Sequence, residues 1–390
     1  MSLSCRKREN MEFLKKAGRI GVIGGAFDPI HYGHLTAAEC VRRELNLDLC
    51  LFIPTGRPPH KGKITFKEHR YLMTALACED NPHFYTSRME LERPGASYTV
   101  DTLHLLKEMT NAEIFFIVGA DEMLQISAWK DADLLPGLCR WVTVTRPGYN
   151  IDKATQIPGL DISGTELRKR AALNQSIKYL VPPPVERYIR DLNLYRKNYE
   201  CYEKTHQAVA AQLSEERYRH TMGVMETSIL LAARYDVNLR KAYLAALLHD
   251  YAKELKEDEK RQMCRDFAIP VDPVQDNFIN LMHGHLSAEL AKRKFNIDDP
   301  EILNAIKYHT TGRAGMGPLD MVVKIADNVE PNRTYYPTLK QIRLLSAVNL
   351  KDACIAAIKW DIEYTKSKGR TIHQLGIEAL KDLEQNKVLI

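Results

Sequence analysis

"GVIGGAFDPIHYGHL", residues 21–35, is an apolar run that ends in two glycines, followed by an Asp-Pro and by two histidines three positions apart. The run reads as a strand that empties into a tight turn, where Gly24 and Gly25 allow the backbone to fold back and come close to a ligand. Pro29, with its preset backbone angle, suits the start of the next element. His31 and His34 then lie one helical turn apart and face the same way. Such a pair can pack in a core, contribute to a metal site, or grip an anion beside the free N–H groups of a helix N-terminus. A metal needs more ligands than two, which leaves a phosphate as the natural partner.

Outward from this turn, the pattern to about Arg196 alternates short apolar runs with amphipathic stretches. "TAAECVRREL" follows the first run, "FKEHRYLMTALACE" follows "LCLFIPTG", and "AEIFFIVGAD" precedes "WVTVTRPG". This alternation predicts a parallel sheet with helices on both faces, a Rossmann-like α/β domain over residues 1–198. Ligand sites in such sheets lie where the strands end. "YLVPPPVERYIRDLNLY" closes the half with a proline-stiffened turn and an amphipathic helix, and the polar, tyrosine-rich "RKNYECYEK" reads as a linker. Beyond residue 205 the apolar residues recur at helical spacing, as in "RYRHTMGVMETSILLAARY", "PLDMVVKIADNVE" and "HQLGIEALKDLEQ". Residues 199–390 therefore read as an all-α helical bundle.

Composition narrows the function classes. The formal charge is +5 over 390 residues, without the basic blocks of a nucleic-acid surface, so anionic small molecules are the expected partners and nucleic acid is not. Eight cysteines with no CxxC spacing argue against a disulfide framework or a thiolate zinc site and fit a reducing cytoplasm. No apolar run is long enough for a membrane span, and the short first run is no signal peptide, so no membrane partner is expected.

The opening stretch resembles the signature of the HxGH nucleotidyltransferases. Further segments are similar, in order, to the bacterial nicotinate-nucleotide adenylyltransferase branch: "IPTGRPPHKG", "SYTVDTL", "VGADEM" with "AWKDADLL", "VTRPG" and "DISGTELRKR". The resemblance implies attack by the phosphate of nicotinate mononucleotide on the α-phosphorus of ATP, with Mg²⁺ brought by ATP. It assigns catalysis to His31, His34 and Arg168. Gly24, Gly25 and Phe27 in the first turn, with Lys61 and Arg146 in their loops, complete the nucleotide site together with the backbone of Ser163, Gly164 and Thr165. It gives nicotinate to Thr99 and Trp129 and a ribose hydroxyl to Asp121. Trp129 as packed core and Asp121 as a helix cap are the ordinary alternatives. Gly164 stands where the family usually has a second serine.

The helical half holds His220, His249, Asp250, His283, His309 and Asp327, an imidazole and carboxylate set that suits iron or manganese better than structural zinc. All fall on or beside expected helices, which suggests a site inside the bundle. "RYRHTMGV", "AALLHDYAK", "LMHGHLSAEL", "IKYHTTGR" and "KIADNVEPNR" resemble the motifs of the bacterial HD-domain symmetrical diadenosine-tetraphosphate hydrolases. That resemblance implies two metal ions, iron with manganese also accepted by the same ligands. A hydroxide bound there would cleave diadenosine tetraphosphate into two ADP, with Asp250 catalytic as well as ligating. Lys253, Arg313 and Arg333 are the expected polyphosphate contacts, with solvated surface charge as the alternative. His285 is an extra histidine, read as a surface residue or an additional ligand. The competing reading of this half is a nucleotide-sensing module without hydrolysis, and the complete ligand set argues against it.

Overall fold

The computed structural model describes residues 12–59, 64–145, 160, 162–197, 199, 202–333 and 336–385. They fall into two units, one within Glu9–Glu200 and one within Cys201–Ile390.

The first unit is built on a parallel five-stranded sheet of β1 (Arg19–Gly25), β2 (Leu49–Pro54), β3 (Phe84–Thr86), β4 (Glu113–Gly119) and β5 (Arg140–Val144). Strands covered on both faces need apolar side chains at every position, and β2 is buried along its whole length. β1, β2, β4 and β5 are the runs expected from sequence. β3 is not, because three residues give no periodicity to read. The strand order β3-β2-β1-β4-β5 places β1 at the point where the chain reverses its direction of travel across the sheet. A crevice opens there between the carboxyl ends of β1 and β4.

Helices α1 (Tyr32–Glu44), α2 (Lys67–Cys78), α3 (Thr99–Met109), α4 (Gly164–Ala172) and α5 (Pro183–Asp191) cover this unit. α1 starts at Tyr32, three residues after the position expected from Pro29, with His31 as its N-cap. α2 is buried from Glu68 to Cys78 and carries the 1 % exposed Arg70 through the interior. Its guanidinium donates to the carbonyls of Ala26, Thr55, Gly56 and Thr65, tying the loops after β1 and β2 to one side chain.

The second unit is helical throughout its described residues. Its main helices are α6 (Glu215–Arg234), α7 (Leu239–Leu248), α8 (His283–Phe295), α9 (Pro300–Tyr308), α10 (Pro318–Val329), α11 (Leu350–Ser367) and α12 (Gln374–Gln385). Caps set many of the starts: Ser214, Asn238, Asp299 and Asn349 each accept a backbone N–H of the following turn. α7 and α10 are buried along most of their length, so the bundle core lies around them. Among the described residues, no helix is long and apolar enough to cross a membrane.

Candidate functional site

In the first unit a cleft of about 600 Å³ occupies the crevice where β1 and β4 end. The turn after β1 supplies one wall. His31 is 7 % exposed, with its backbone extended into α1, and a Cβ on Gly33 would lie 3.0 Å from its Nδ1. A side chain between the two histidines would press on the His31 ring. The two rings lie with centroids 3.7 Å apart, and Phe27 meets His34 edge-on at 5.1 Å. The backbone N–H of His31 donates to Nδ1 of His34 at 3.3 Å. A neutral ring that accepts through Nδ1 carries its proton on Nε2, which makes His34 a donor to an anion.

The opposite wall is the N-terminus of α4. Ser163 caps it by accepting from the Glu166 N–H at 3.1 Å, and Gly164 and Thr165 line the cleft. Arg168 lines it too, with Nη1 donating to the Asp28 carbonyl at 2.6 Å and Nη2 to Thr165 Oγ1 at 3.1 Å. A Cβ on Gly164 would sit 3.1 Å from that same carbonyl, so a side chain at this helix start asks the turn after β1 to give by a few tenths of an ångström.

Asp28 therefore joins both walls, and its carboxylate accepts from the Tyr195 hydroxyl at 2.9 Å and the Thr65 N–H at 3.1 Å. Burial, with the Asp28 charge added, holds the Tyr195 hydroxyl well above its ordinary pKa, so it stays a donor. Nothing in the sequence reading singled out Asp28 or Tyr195. Their positions lie 167 residues apart, and only the fold brings them together.

Other expected residues fall differently. Asp121 lines the cleft just beyond β4, as do Gly24 and Gly25. Thr99 and Trp129 do not line it: Thr99 is the first residue of α3, and Trp129 packs edge-on against Phe116 and Trp141. Lys61 and Arg146 lie outside the described residues.

In the second unit the six expected ligands converge. His249 directly follows α7, His309 directly follows α9, and His283 opens α8 after a short turn. Each turns its Nδ1 to the carbonyl three residues earlier: Ala246 at 2.7 Å, Ile306 at 2.7 Å and Asn280 at 2.6 Å. Carbonyls at helix ends lack intrahelical partners, and an oxygen there only accepts, so each ring is protonated on Nδ1 and aims an Nε2 lone pair inward. His220, on α6, uses the Glu330 carboxylate at 3.1 Å for the same purpose.

These lone pairs surround Asp250, which is 2 % exposed. Its Oδ1 lies 3.1 Å from His283 Nε2 and 3.6 Å from His309 Nε2, and its Oδ2 lies 3.5 Å from His249 Nε2 and 3.8 Å from His220 Nε2. Asp327 Oδ1 adds a second carboxylate 3.1 Å from His220 Nε2. Two donor sets, His220 with His249 and Asp327, and His249 with Asp250 and His309, have all their atoms within 4.8 Å of one another. Burial drives the pKa of His249 to about 3 and that of His283 to about 4, so both imidazoles are neutral ligands at physiological pH. His220 Nε2, His249 Nε2 and Asp250 Oδ1 are buried without an aligned hydrogen bond, as atoms awaiting a cation would be. The residues present have the donor chemistry of a metal centre, in two overlapping groups that share His249.

Around the cluster, Arg217 donates to Asp250 Oδ2 at 3.1 Å, and Lys253 Nζ lies 3.2 Å from His283 Nε2. Arg333 grips the carbonyl and the carboxylate of Asp327, both at 2.6 Å. Arg313 is not brought to the cluster; its guanidinium pairs with Asp320 at 2.7 Å and lies over the Tyr308 ring. His285 is half-buried against Tyr308 and belongs to neither donor set. The sequence singles out neither Arg217 nor Glu330, nor Thr310, whose hydroxyl lies 3.3 Å from His283 Nε2 and 3.1 Å from His309 Nε2, although Arg217 precedes His220 by three residues on one helix face.

Residues 22–170 match the cytidylyltransferase-like family and residues 217–332 match the HD domain. A probable nicotinate-nucleotide adenylyltransferase of Thermoanaerobacter sp. (strain X514) is 45% identical over 203 residues, covering 47% of this chain and 96% of the relative. That of Thermus thermophilus is 45% identical over 185 residues, covering 46% of this chain and all of the relative. Among solved structures, one described as a predicted HD superfamily hydrolase involved in NAD metabolism, from Clostridium acetobutylicum, is 33% identical. It covers 48% of this chain and 98% of its own length at a TM-score of 0.46.

Replacing Gly164 by serine pushes a Cβ against the Asp28 carbonyl and weakens ATP binding by about five-fold or more in calorimetric titration; an unchanged affinity would mean that the turn yields freely. Removing the Glu330 carboxylate with Glu330→Ala leaves the His220 ring unoriented, and metal retention after dialysis falls by about 10- to 100-fold.

Proposed function

Over its first half this chain belongs to the nicotinate-nucleotide adenylyltransferase family, and its second half carries an HD domain, and on that footing we propose a bifunctional enzyme of nucleotide metabolism. Residues 1–198 transfer the adenylyl group of ATP to nicotinate mononucleotide. Residues 199–390 hydrolyse diadenosine tetraphosphate symmetrically to two ADP.

In the first reaction a phosphate oxygen of nicotinate mononucleotide forms a bond to the α-phosphorus of ATP, and the bond from that phosphorus to the β-phosphate oxygen breaks, releasing pyrophosphate. No protein nucleophile is needed, so catalysis rests on positioning and on neutralising charge. His31 and His34 hold ATP phosphates from one wall. The N-terminus of α4 and Arg168 hold the departing pyrophosphate from the other. Mg²⁺ bound with ATP supplies further neutralisation of its phosphates. Asp121, at the cleft, addresses a ribose hydroxyl, and Lys61 and Arg146 are further cations for the phosphates. The assignment of nicotinate to Thr99 and Trp129 rests on their motifs alone. The observation that carries this half is that both anion-binding devices face one cleft at the switch point of the sheet.

In the second reaction water adds its oxygen to a central phosphorus, the bridging oxygen leaves with the other half of the molecule, and each product is ADP. His220, His249, Asp250, His283, His309 and Asp327 hold the two ions, which when bound lower the pKa of water and polarise the phosphoryl oxygens. Asp250 lies between the two pairs of imidazoles, and Glu330 keeps the His220 ring in place. Lys253 and Arg333, beside the cluster, meet the substrate phosphates. This half is carried by the convergence of imidazole lone pairs on one buried carboxylate.

Paired substitutions in the full chain separate the activities. His34→Ala lowers nicotinate adenine dinucleotide synthesis by about 100-fold or more and leaves tetraphosphate hydrolysis intact, whereas Asp250→Ala abolishes hydrolysis and spares synthesis. Hydrolysis that survives Asp250→Ala would contradict the metal site, and synthesis that survives His34→Ala would contradict the phosphate grip.

A further inference from the structure

The metal cluster opens on a cleft of about 1000 Å³ whose lining includes Asp327, Thr310 and Arg333 and then continues over aromatic side chains. The hydrolysis described above uses none of those rings. Tyr336 and Trp360 lie stacked, centroids 4.8 Å apart and planes 16° from parallel. One turn along α11, Tyr364 lies 6.0 Å from Trp360. Phe278, from a different segment, also lines the cleft and carries the Arg370 guanidinium 4.5 Å from its centroid.

Aromatic residues four apart on a helix commonly belong to a core, but these do not. The buried core of this unit is mostly aliphatic, Tyr364 is 48% exposed, and Trp360 is half-buried at the cleft. The Tyr336 hydroxyl donates to the Asn328 carbonyl at 2.9 Å, which fixes that ring from behind. Large, held, partly exposed rings in a cleft of this volume make a platform for a flat apolar ligand. The same cleft reaches an arginine and a metal-ligand cluster suited to phosphate. A flat heteroaromatic ring joined to a polyphosphate is a nucleotide.

We propose that the Tyr336–Trp360 pair, with Phe278 and Arg370, is the nucleoside subsite of the second unit, stacking the base of one nucleotide end while its phosphates run past Arg333 to the metal cluster. The inference rests on the hydrolase reading of this half and deepens it by naming what anchors the substrate. Base stacking tolerates different bases, so the platform favours nucleotides over inorganic polyphosphate without reading a particular base.

The test uses the full-length, metal-loaded protein. Trp360→Ala raises KM for diadenosine tetraphosphate by about ten-fold, the size expected for one lost stacking partner, with kcat changed less than about two-fold. Trp360→Phe, which keeps a ring, restores KM to near the wild-type value. An unchanged KM in Trp360→Ala, or a Phe variant as impaired as the Ala variant, overturns the proposal. A second readout needs no turnover: photolabelling with 2-azido-ADP is expected to mark the cleft segments 273–281 and 336–376, and to lose that mark in Trp360→Ala. Labelling there in a protein that does not hydrolyse the tetraphosphate would sink the hydrolase reading and leave the subsite standing. Labelling confined to other segments sinks the subsite.

Discussion

A carboxylate taken out of water has to be compensated, and each unit is arranged around one that is. Asp28, 7 % exposed, and Asp250, 2 % exposed, meet the same demand with opposite chemistry. Asp28 is surrounded by donors: a tyrosine hydroxyl and a backbone N–H on its carboxylate, and an arginine on its carbonyl. It is satisfied within the protein, and it ties the turn after β1 to Arg168 on α4, so the two walls of the cleft meet at one residue. Asp250 has Arg217 and Lys253 near it, but its closest ring neighbours are imidazole nitrogens whose protons are committed to the far side. Lone pairs facing a carboxylate repel one another unless positive charge lies among them. On the proposed function the first arrangement serves anions and the second cations.

Helix ends do most of the positioning in both units. In the first, the start of α4 lines the cleft with Gly164 and Thr165, and the two histidines that flank the start of α1 line it together with Arg168. In the second, the unpaired carbonyls at the ends of α7 and α9 orient His249 and His309 by accepting from their Nδ1 atoms. On the proposed function, one feature of helix geometry, the unsatisfied groups at each end, serves phosphate at one terminus and a metal-ready imidazole tautomer at the other. It also accounts for two sets of histidines with different tasks in one chain.

Much of this was legible in the sequence because it is local. The apolar strand before the Asp-Pro and the adjacency of His249 and Asp250 are short-range patterns that the structure holds, whereas Gly24 and Gly25 lie within β1 rather than in the turn after it, Phe27 takes the positive φ there, and His31 precedes α1 as its extended N-cap. What escaped is long-range or too short to show a period. β3 has three residues. Asp28 acquires its role from Thr65, Arg168 and Tyr195, which the fold alone delivers. Arg70 in the middle of an apolar helix was a visible anomaly, since a buried guanidinium needs several acceptors, and it finds them in the loops beneath the cleft. Arg313 shows the reverse: a residue type that suits a phosphate, paired with Asp320 instead of standing at the cluster. A motif fixes which residue is present, and its direction depends on neighbours that the motif does not contain.

The proposed hydrolysis depends on two cations completing the Asp250 cluster. Elemental analysis of the full-length protein, purified without chelator and compared with Asp250→Asn, tests this directly. The wild type is expected to hold about two transition-metal ions per chain and to lose most of that metal on substitution, because the shared carboxylate is removed. A wild-type protein that holds no metal after loading, or a metal content indifferent to the substitution, would contradict it.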